Sequence, residues 1–109
     1  LVGLLGKIGY EFDCIIIDCL TLLISNLILV WHKEEDILEK IKAIAANLRK
    51  KKAKIIIVSN EVGLGIVPAN RLGRDFRDIA GKVNQMVAKI ADEVLFVVSG
   101  VPLKIKGGE

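Results

Sequence analysis

Three short apolar runs, each rich in β-branched residues, constrain the fold of this chain more than any other feature. They occupy residues 12–17, 54–58 and 93–98, and helical patterns stand between them. Continuous apolar strands separated by helices are typical of buried parallel strands that are joined by right-handed crossovers. The sequence therefore predicts an α/β fold with three layers, in which a mostly parallel sheet has helices on both faces.

Helices are predicted in the intervals between these runs. Residues 33–52 carry apolar side chains at a 3.6-residue period, begin with acidic residues and end with basic ones, which complements the helix dipole. Residues 69–91 show the same period, with a possible break at Gly73. Residues 20–31 predict a buried apolar helix, because this run is shorter than the roughly 18 to 20 residues that span a bilayer. Residues 101–106 predict a short edge strand.

Composition narrows the class of protein. The 109 residues predict a single domain, and 52% hydrophobic with 27% charged residues is typical of a globular protein. A net charge of +3 is too diffuse to indicate a nucleic-acid surface. Two cysteines and one histidine form neither a disulfide framework nor a structural zinc site. Free cysteines in or beside an apolar strand fit a reducing, cytoplasmic setting, and neither a signal peptide nor a membrane span is predicted.

Polar residues follow the predicted strands at their carboxyl ends. Asp18 ends the first run, Ser59, Asn60 and Glu61 follow the second, and Ser99 follows the third. Ligands of open parallel sheets bind outside these ends, so we expect the polar termini to meet at one edge. Asp18 suits either a magnesium-bound water or an ordinary strand end. The residues after the second run could contact a γ-phosphate, a base or an acceptor, or they could be the polar residues of an ordinary strand exit.

Arginines near the start of the last long helix have two interpretations. Arg71, Arg74 and Arg77 recur at three-residue spacing, which would allow them to grip phosphates. The same residues could instead pair with Asp75 and Asp78 on a solvated helix face. Spacing does not decide between these alternatives.

The apolar helix directly after Asp18 also carries polar residues. Thr21, Ser25 and Asn26 share one side of it. They could form hydrogen bonds inside the core, or they could line the cleft next to Asp18.

The ordered motifs together resemble a known family. They are IIIDCLTLLISNLIL from position 15, VSNEVGLGIVPANRLGRDFRDIAGKVNQ from position 58 and ADEVLFVVSGVPLKIK from position 91. The sequence closely resembles the bifunctional adenosylcobinamide kinase and adenosylcobinamide-phosphate guanylyltransferase family of cobalamin biosynthesis over residues 13–106.

The resemblance implies a RecA-like P-loop fold and two reactions. These are phosphorylation of adenosylcobinamide with GTP or ATP, and transfer of GMP from GTP to the resulting phosphate, in a trimer that binds a nucleoside triphosphate and a corrinoid. The family pattern implies that Asp18 holds a magnesium-bound water and, with Glu61, takes part in catalysis. It further implies that a group of polar residues lines the nucleotide or corrinoid cleft, namely Asn60, Arg71, Arg77, Asp78, Asn84 and Gln85.

Two parts of the family pattern do not appear in the sequence. The GxxxxGK[ST] phosphate loop and the histidine nucleophile both belong to the family's amino-terminal part, and His32 lies after the acidic strand. We therefore expect residues 1–109 to form the carboxy-terminal part of such a transferase, a partial P-loop domain that is inactive by itself. Two alternatives are a non-catalytic remnant that acts as a scaffold or binding module, and a different P-loop NTPase with the same topology.

Overall fold

A computed structural model describes residues 13–31, 33–61 and 70–107, and for positions 31, 71 and 72 it describes the backbone alone. Four strands and three helices lie in these ranges. In chain order they are β1 (Cys14–Asp18), α1 (Leu20–Trp31), α2 (Glu34–Arg49), β2 (Lys54–Val58), α3 (Arg71–Ile90), β3 (Val94–Val98) and β4 (Val101–Lys106). The architecture is mixed α/β, as the alternation of runs and helical patterns predicted.

Strands β1 and β2 form a two-stranded parallel sheet. Their register pairs Ile16 with Ile56 and Asp18 with Val58. On one face, the isoleucines that alternate with these residues pack against the helical core, namely Ile17, Ile55 and Ile57. On the other face, Ile16 is 63% exposed and Val58 is 42% exposed. Within the described residues, apolar packing thus covers one face of this sheet, whereas the sequence predicted helices on both.

The core lies among the three helices, and its members recur at helical spacing. Its buried residues on α1, α2 and α3 are Leu20, Ile24, Ile28, Ile37, Ile41, Ile44, Leu48, Ile79, Ala80 and Val83. Acidic residues open α2 and Arg49 closes it, which confirms the predicted match to the helix dipole. Burying apolar faces against one another is what fixes how each helix is rotated about its axis.

Helix α1 is buried on one side only, which corrects the prediction of a buried helix. Ile24 is inaccessible to solvent, whereas Leu22, Leu29 and Val30 are each more than 60% exposed. The helix is therefore apolar on all sides, but only one side is packed against other described residues. None of the helices in the described ranges is both long and apolar enough to cross a membrane.

The third apolar run does not join the parallel sheet within the described residues, so its predicted place was wrong. Strand β3 pairs with β4 in a separate antiparallel sheet, and Val98 faces Val101 across the turn. The two residues between them, Ser99 and Gly100, both have positive φ, of 52° and 77°. That conformation closes a two-residue hairpin, in which the following strand must run antiparallel. Ser99 is thus a turn residue rather than a third member of the polar edge.

Helix α3 is continuous through Gly73, so the possible break there was also wrong. Asn70 is the N-cap, and its side-chain Oδ1 accepts a hydrogen bond from the Gly73 backbone N–H at 2.6 Å. The first turn continues with a bond from the Arg74 N–H to the Asn70 carbonyl at 3.1 Å. Gly73 therefore lies in the first turn of the helix, where its N–H is satisfied by the cap.

Candidate functional site at the carboxyl ends of the parallel strands

The parallel register brings two polar strand ends to the same edge of the sheet. Asp18 ends β1 beside Val58, and Ser59, Asn60 and Glu61 follow Val58 directly. The side chains of Asp18, Asn60 and Glu61 are exposed, and that of Ser59 is half buried. Asp18 and the exit of β2 therefore share one rim, as parallel pairing predicted.

The start of α1 contributes to this rim through Cys19 and Thr21. The Asn60 Nδ2 group donates a hydrogen bond to Thr21 Oγ1 at 3.2 Å, and Cys19 Sγ lies 2.9 Å from the same oxygen. Thr21 is 5% exposed, and it lies on the same side of α1 as Ile24. Core packing of α1 thus points the Thr21 hydroxyl inward to meet the exit of β2.

The sequence allows Thr21 either a role in the core or a role in the cleft, and the structure combines the two. Its side chain is buried, yet its hydroxyl contacts a residue of the polar rim. Ser25 is half buried and Asn26 is exposed further along the helix. The polar residues of this side of α1 are therefore buried at its first turn and increasingly exposed further along the helix.

Helix α3 closes the other side of the rim through Asn84. The Ser59 hydroxyl donates to Asn84 Oδ1 at 2.7 Å, and Asn84 Nδ2 donates to the Asn60 carbonyl at 3.0 Å. Asn84 follows Val83, which is inaccessible to solvent. The side-chain amide therefore extends from a fixed helix onto two consecutive residues of the β2 exit.

The pKa of the Cys19 thiol is lowered at this site. The largest cause is the hydrogen bond with the Thr21 side chain, followed by a bond with the Leu22 backbone. Partial burial and the Asp18 carboxylate act in the opposite direction, because both disfavour the thiolate. Cys19 directly precedes α1, and the start of a helix is a position that favours thiolates.

No role in the site was predicted for Cys19 from the sequence. The signal that could have shown more is the position itself, between an acidic strand end and the first residue of a helix.

The remaining predicted site residues spread along α3. Arg77 is half buried and, at seven residues before Asn84, lies on the same side of the helix. Asp78 and Gln85 are exposed and are likewise seven residues apart. Arg71 is the first residue of α3.

Gln85 lies beside a second concave surface, away from the contacts of Asn84. An open groove of about 420 Å³ runs between the carboxyl half of α3 and the hairpin. Its lining consists of Gln85, Ala88, Lys89, Val94, Ile105 and Lys106. Lys106 Nζ donates to the carbonyls of Ala88 and Lys89, both at 2.9 Å, and thereby ties β4 to the end of α3.

The carboxylates of the rim are candidate ligands of a divalent cation. In the described parts of the chain, no three His, Cys, Asp or Glu side chains are grouped so that they could bind a metal by themselves. Mg²⁺ commonly takes only one or two protein carboxylates and completes its shell with water and substrate phosphates. The exposed carboxylates of Asp18 and Glu61 at the sheet edge fit this kind of donor set.

Residues 62–69, which include the glycines and the proline of the motif that begins at position 58, lie outside the described residues, as do residues 1–12. The candidate site is therefore built from β1, the start of α1, the exit of β2 and α3.

Comparison with known proteins identifies relatives over nearly the whole chain. A family model described as cobinamide kinase / cobinamide phosphate guanyltransferase matches residues 1–105. A bifunctional adenosylcobalamin biosynthesis protein of Salmonella typhimurium is 44% identical over 106 residues, which covers 86% of this chain and 59% of the relative. The Escherichia coli protein of the same description is 40% identical over 106 residues, with the same coverage of 86% and 59%.

A third relative matches to a similar extent. The bifunctional adenosylcobalamin biosynthesis protein of Pseudomonas aeruginosa is 39% identical over 94 residues, covering 86% of this chain and 54% of the relative. The chain thus spans between 54% and 59% of the length of these curated relatives.

Proposed function

The chain belongs to the cobinamide kinase / cobinamide phosphate guanyltransferase family, and on that premise we propose that it acts in cobalamin biosynthesis as part of a nucleotide-dependent transferase. The transferase phosphorylates adenosylcobinamide with GTP or ATP and transfers GMP from GTP to the adenosylcobinamide phosphate. The corrinoid and the nucleoside triphosphate are its substrates.

One observation carries this proposal beyond family membership. At the carboxyl ends of the paired strands β1 and β2, exposed Asp18 stands beside a β2 exit that is hydrogen-bonded to α1 and to α3. This is the edge at which open α/β sheets bind their ligands.

We propose roles for the rim residues from the family pattern, and their chemistry is compatible with these roles. Asp18 would hold Mg²⁺ through a bound water and Glu61 would assist at the same edge, and the ion would neutralise charge on the phosphates. Guanidinium groups suit the phosphates themselves, because they present donors in a fixed fork. The other residues assigned to the wall of the nucleotide or corrinoid cleft are Asn60, Arg71, Arg77, Asp78, Asn84 and Gln85.

The proposal extends to the fold and to the assembly. The exposed apolar side chains of Ile16, Ile56 and Val58 support a RecA-like, three-layer P-loop arrangement, in which a further layer covers this face of the sheet. A trimer and a cytoplasmic setting complete the proposal. That residues 1–109 form the carboxy-terminal part of such an enzyme, and are inactive by themselves, stays a prediction.

Calorimetric titration of the full-length protein with GTP, ATP and adenosylcobinamide phosphate, with and without Mg²⁺, tests the proposal. We expect binding of GTP that Mg²⁺ strengthens, and we expect Asp18→Asn to abolish the Mg²⁺-dependent gain. Asp92→Asn is the matched control, because it removes the same charge from a side chain that is 98% exposed. Equal Mg²⁺ dependence in the Asp18→Asn variant and the wild type would exclude the assigned role of Asp18.

Titration with the corrinoid distinguishes the proposed transferase from the two alternative functions. Binding of adenosylcobinamide phosphate is expected from the proposed transferase and not from another P-loop NTPase. Labelling of the chain with radioactive guanylate would overturn the prediction that residues 1–109 are inactive by themselves. Failure to bind any of these ligands would favour the non-catalytic scaffold.

A further inference from the structure

We propose that Asn84 is a positioning residue, which holds the exit of β2 against α3 and shapes the candidate site without contacting the ligand. The positioning role stands on contacts within the chain, and its consequence for nucleotide binding rests on the proposed function. Asn84 would then form the cleft wall indirectly, through Ser59 and Asn60.

The hydrogen bonds of Asn84 are the first argument. A side-chain amide offers one acceptor oxygen and one donor nitrogen. In Asn84 the oxygen accepts from the Ser59 hydroxyl at 2.7 Å, and the nitrogen donates to the Asn60 carbonyl at 3.0 Å. Both ends of the amide therefore bind consecutive residues of the loop, which fixes the loop's position and direction relative to α3.

The rigidity of the two supports is the second argument. On α3, Ala80 and Val83 are inaccessible to solvent, so the backbone that carries Asn84 is held by the core. On α1, the 5% exposed Thr21 accepts the hydrogen bond from Asn60 Nδ2 at 3.2 Å. The exit of β2 is thus held between two helices that the core has already fixed.

The contacts have a consistent donor order. The Ser59 O–H donates to the Asn84 amide oxygen, the Asn84 amide N–H donates to the Asn60 carbonyl, and the Asn60 amide N–H donates to Thr21. Ser59 is therefore held by α3, and Asn60 is held by both α3 and α1. Loss of the Asn84 amide removes two of the three contacts, whereas loss of the Ser59 hydroxyl removes one.

The experiment compares Asn84→Ala, Ser59→Ala and Ser59→Thr in the full chain, by ¹⁵N NMR and by titration with Mg²⁺ and GTP. Asn47→Ala is the matched control, because its amide also donates to a backbone carbonyl, that of Ala43 at 3.0 Å, but within α2. Both Asn→Ala exchanges raise helix propensity, so they test the contact rather than the helix. Circular dichroism confirms that each variant is folded.

We expect Asn84→Ala and Ser59→Ala to shift the backbone amide resonances of residues 59–61 and the amide resonance of Thr21. Because a single hydrogen bond contributes modestly, the Kd for GTP with Mg²⁺ should rise by about threefold to tenfold. Ser59→Thr keeps the hydroxyl and should restore both readouts. Asn47→Ala should leave the resonances at 59–61 and the Kd unchanged.

Other outcomes separate this inference from the proposed function. If Asn84→Ala weakens GTP binding while Ser59→Ala changes neither the resonances nor the Kd, Asn84 contacts the nucleotide and the inference is overturned. Unchanged resonances at 59–61 and Thr21 in both alanine variants overturn it as well. If the wild type binds no nucleotide but the resonances shift as expected, the positioning role stands and the proposed nucleotide function fails.

Discussion

Replacement of Ile24 by alanine tests how α1 is set against the core. Ile24 is inaccessible to solvent and lies one turn after Thr21, on the same side of the helix. Its packing therefore fixes the rotation of α1 that turns the Thr21 hydroxyl toward Asn60. If this rotation is as described, Ile24→Ala must leave a cavity in the core.

The expected cost follows from the atoms removed. Isoleucine loses three carbon groups on truncation to alanine, at about 0.8 kcal/mol each for transfer from water to the core. An unrelaxed cavity of about 60 Å³ adds about 1.4 kcal/mol. We therefore expect the free energy of unfolding to fall by about 3 to 4 kcal/mol, a large part of the roughly 5 to 15 kcal/mol typical of a domain.

Urea unfolding followed by circular dichroism measures this loss as a lower midpoint at an unchanged slope. Leu29→Ala is the matched control, because Leu29 belongs to the same helix and is 65% exposed. Leucine and alanine are both strong helix formers, so the control should lose less than about 1 kcal/mol. Equal losses in the two variants would show that α1 packs with a different side, and the contact between Thr21 and Asn60 would lose its basis.

Two ionisable groups provide the remaining predictions. Thr21→Val should raise the pKa of Cys19 toward its ordinary value and slow its alkylation near pH ~8, with Cys14 as internal reference in peptide mapping. Because the wild-type pKa of Cys19 is lowered on folding, Cys19 stabilises the fold above its unfolded pKa, and this stabilisation is lost as the pH falls through the folded pKa. If the urea midpoint of the wild type does not change over this pH range, or changes equally in Thr21→Val, the role of the Thr21 bond is contradicted. The pKa of Lys82 is raised by its hydrogen bond with Glu34 at 2.8 Å, so this pair stabilises below the unfolded lysine pKa and the effect disappears as the pH rises through the folded pKa. Glu34→Gln should therefore lower the urea midpoint slightly at neutral pH and low salt, and an effect that persists in 1 M salt would show that charge is not its cause.

Local patterns predicted most of the secondary structure because they report on neighbours in sequence. The 3.6-residue period of α2 placed Ile37, Ile41, Ile44 and Leu48 in the core, and all four are buried. The isoleucines of β1 and β2 likewise predicted two adjacent parallel strands, and the register confirms them. The family membership was also predictable, since it rests on an ordered run of residues.

The pairing of β3 was not predictable from its apolar character. A run of apolar residues fits a buried parallel strand and an exposed hairpin strand equally well, because both need the same side chains. What decided the pairing was the positive φ of Ser99 and Gly100, which reversed the chain within two residues. A serine-glycine pair between two apolar runs was the available signal.

At the candidate site, too, some features could be predicted from the sequence and others could not. The sequence by itself determined that polar side chains follow β1 and β2, because the residues after the end of a strand lie at the surface and are exposed to solvent. It could not determine that Asn84, 24 positions after Asn60, would donate to the Asn60 carbonyl, or that Thr21, 39 positions before it, would accept from its amide. Those contacts depend on how α1 and α3 are rotated about their axes. Only the packing of three apolar helix faces into one core sets that rotation, and such packing is a property of the folded chain as a whole.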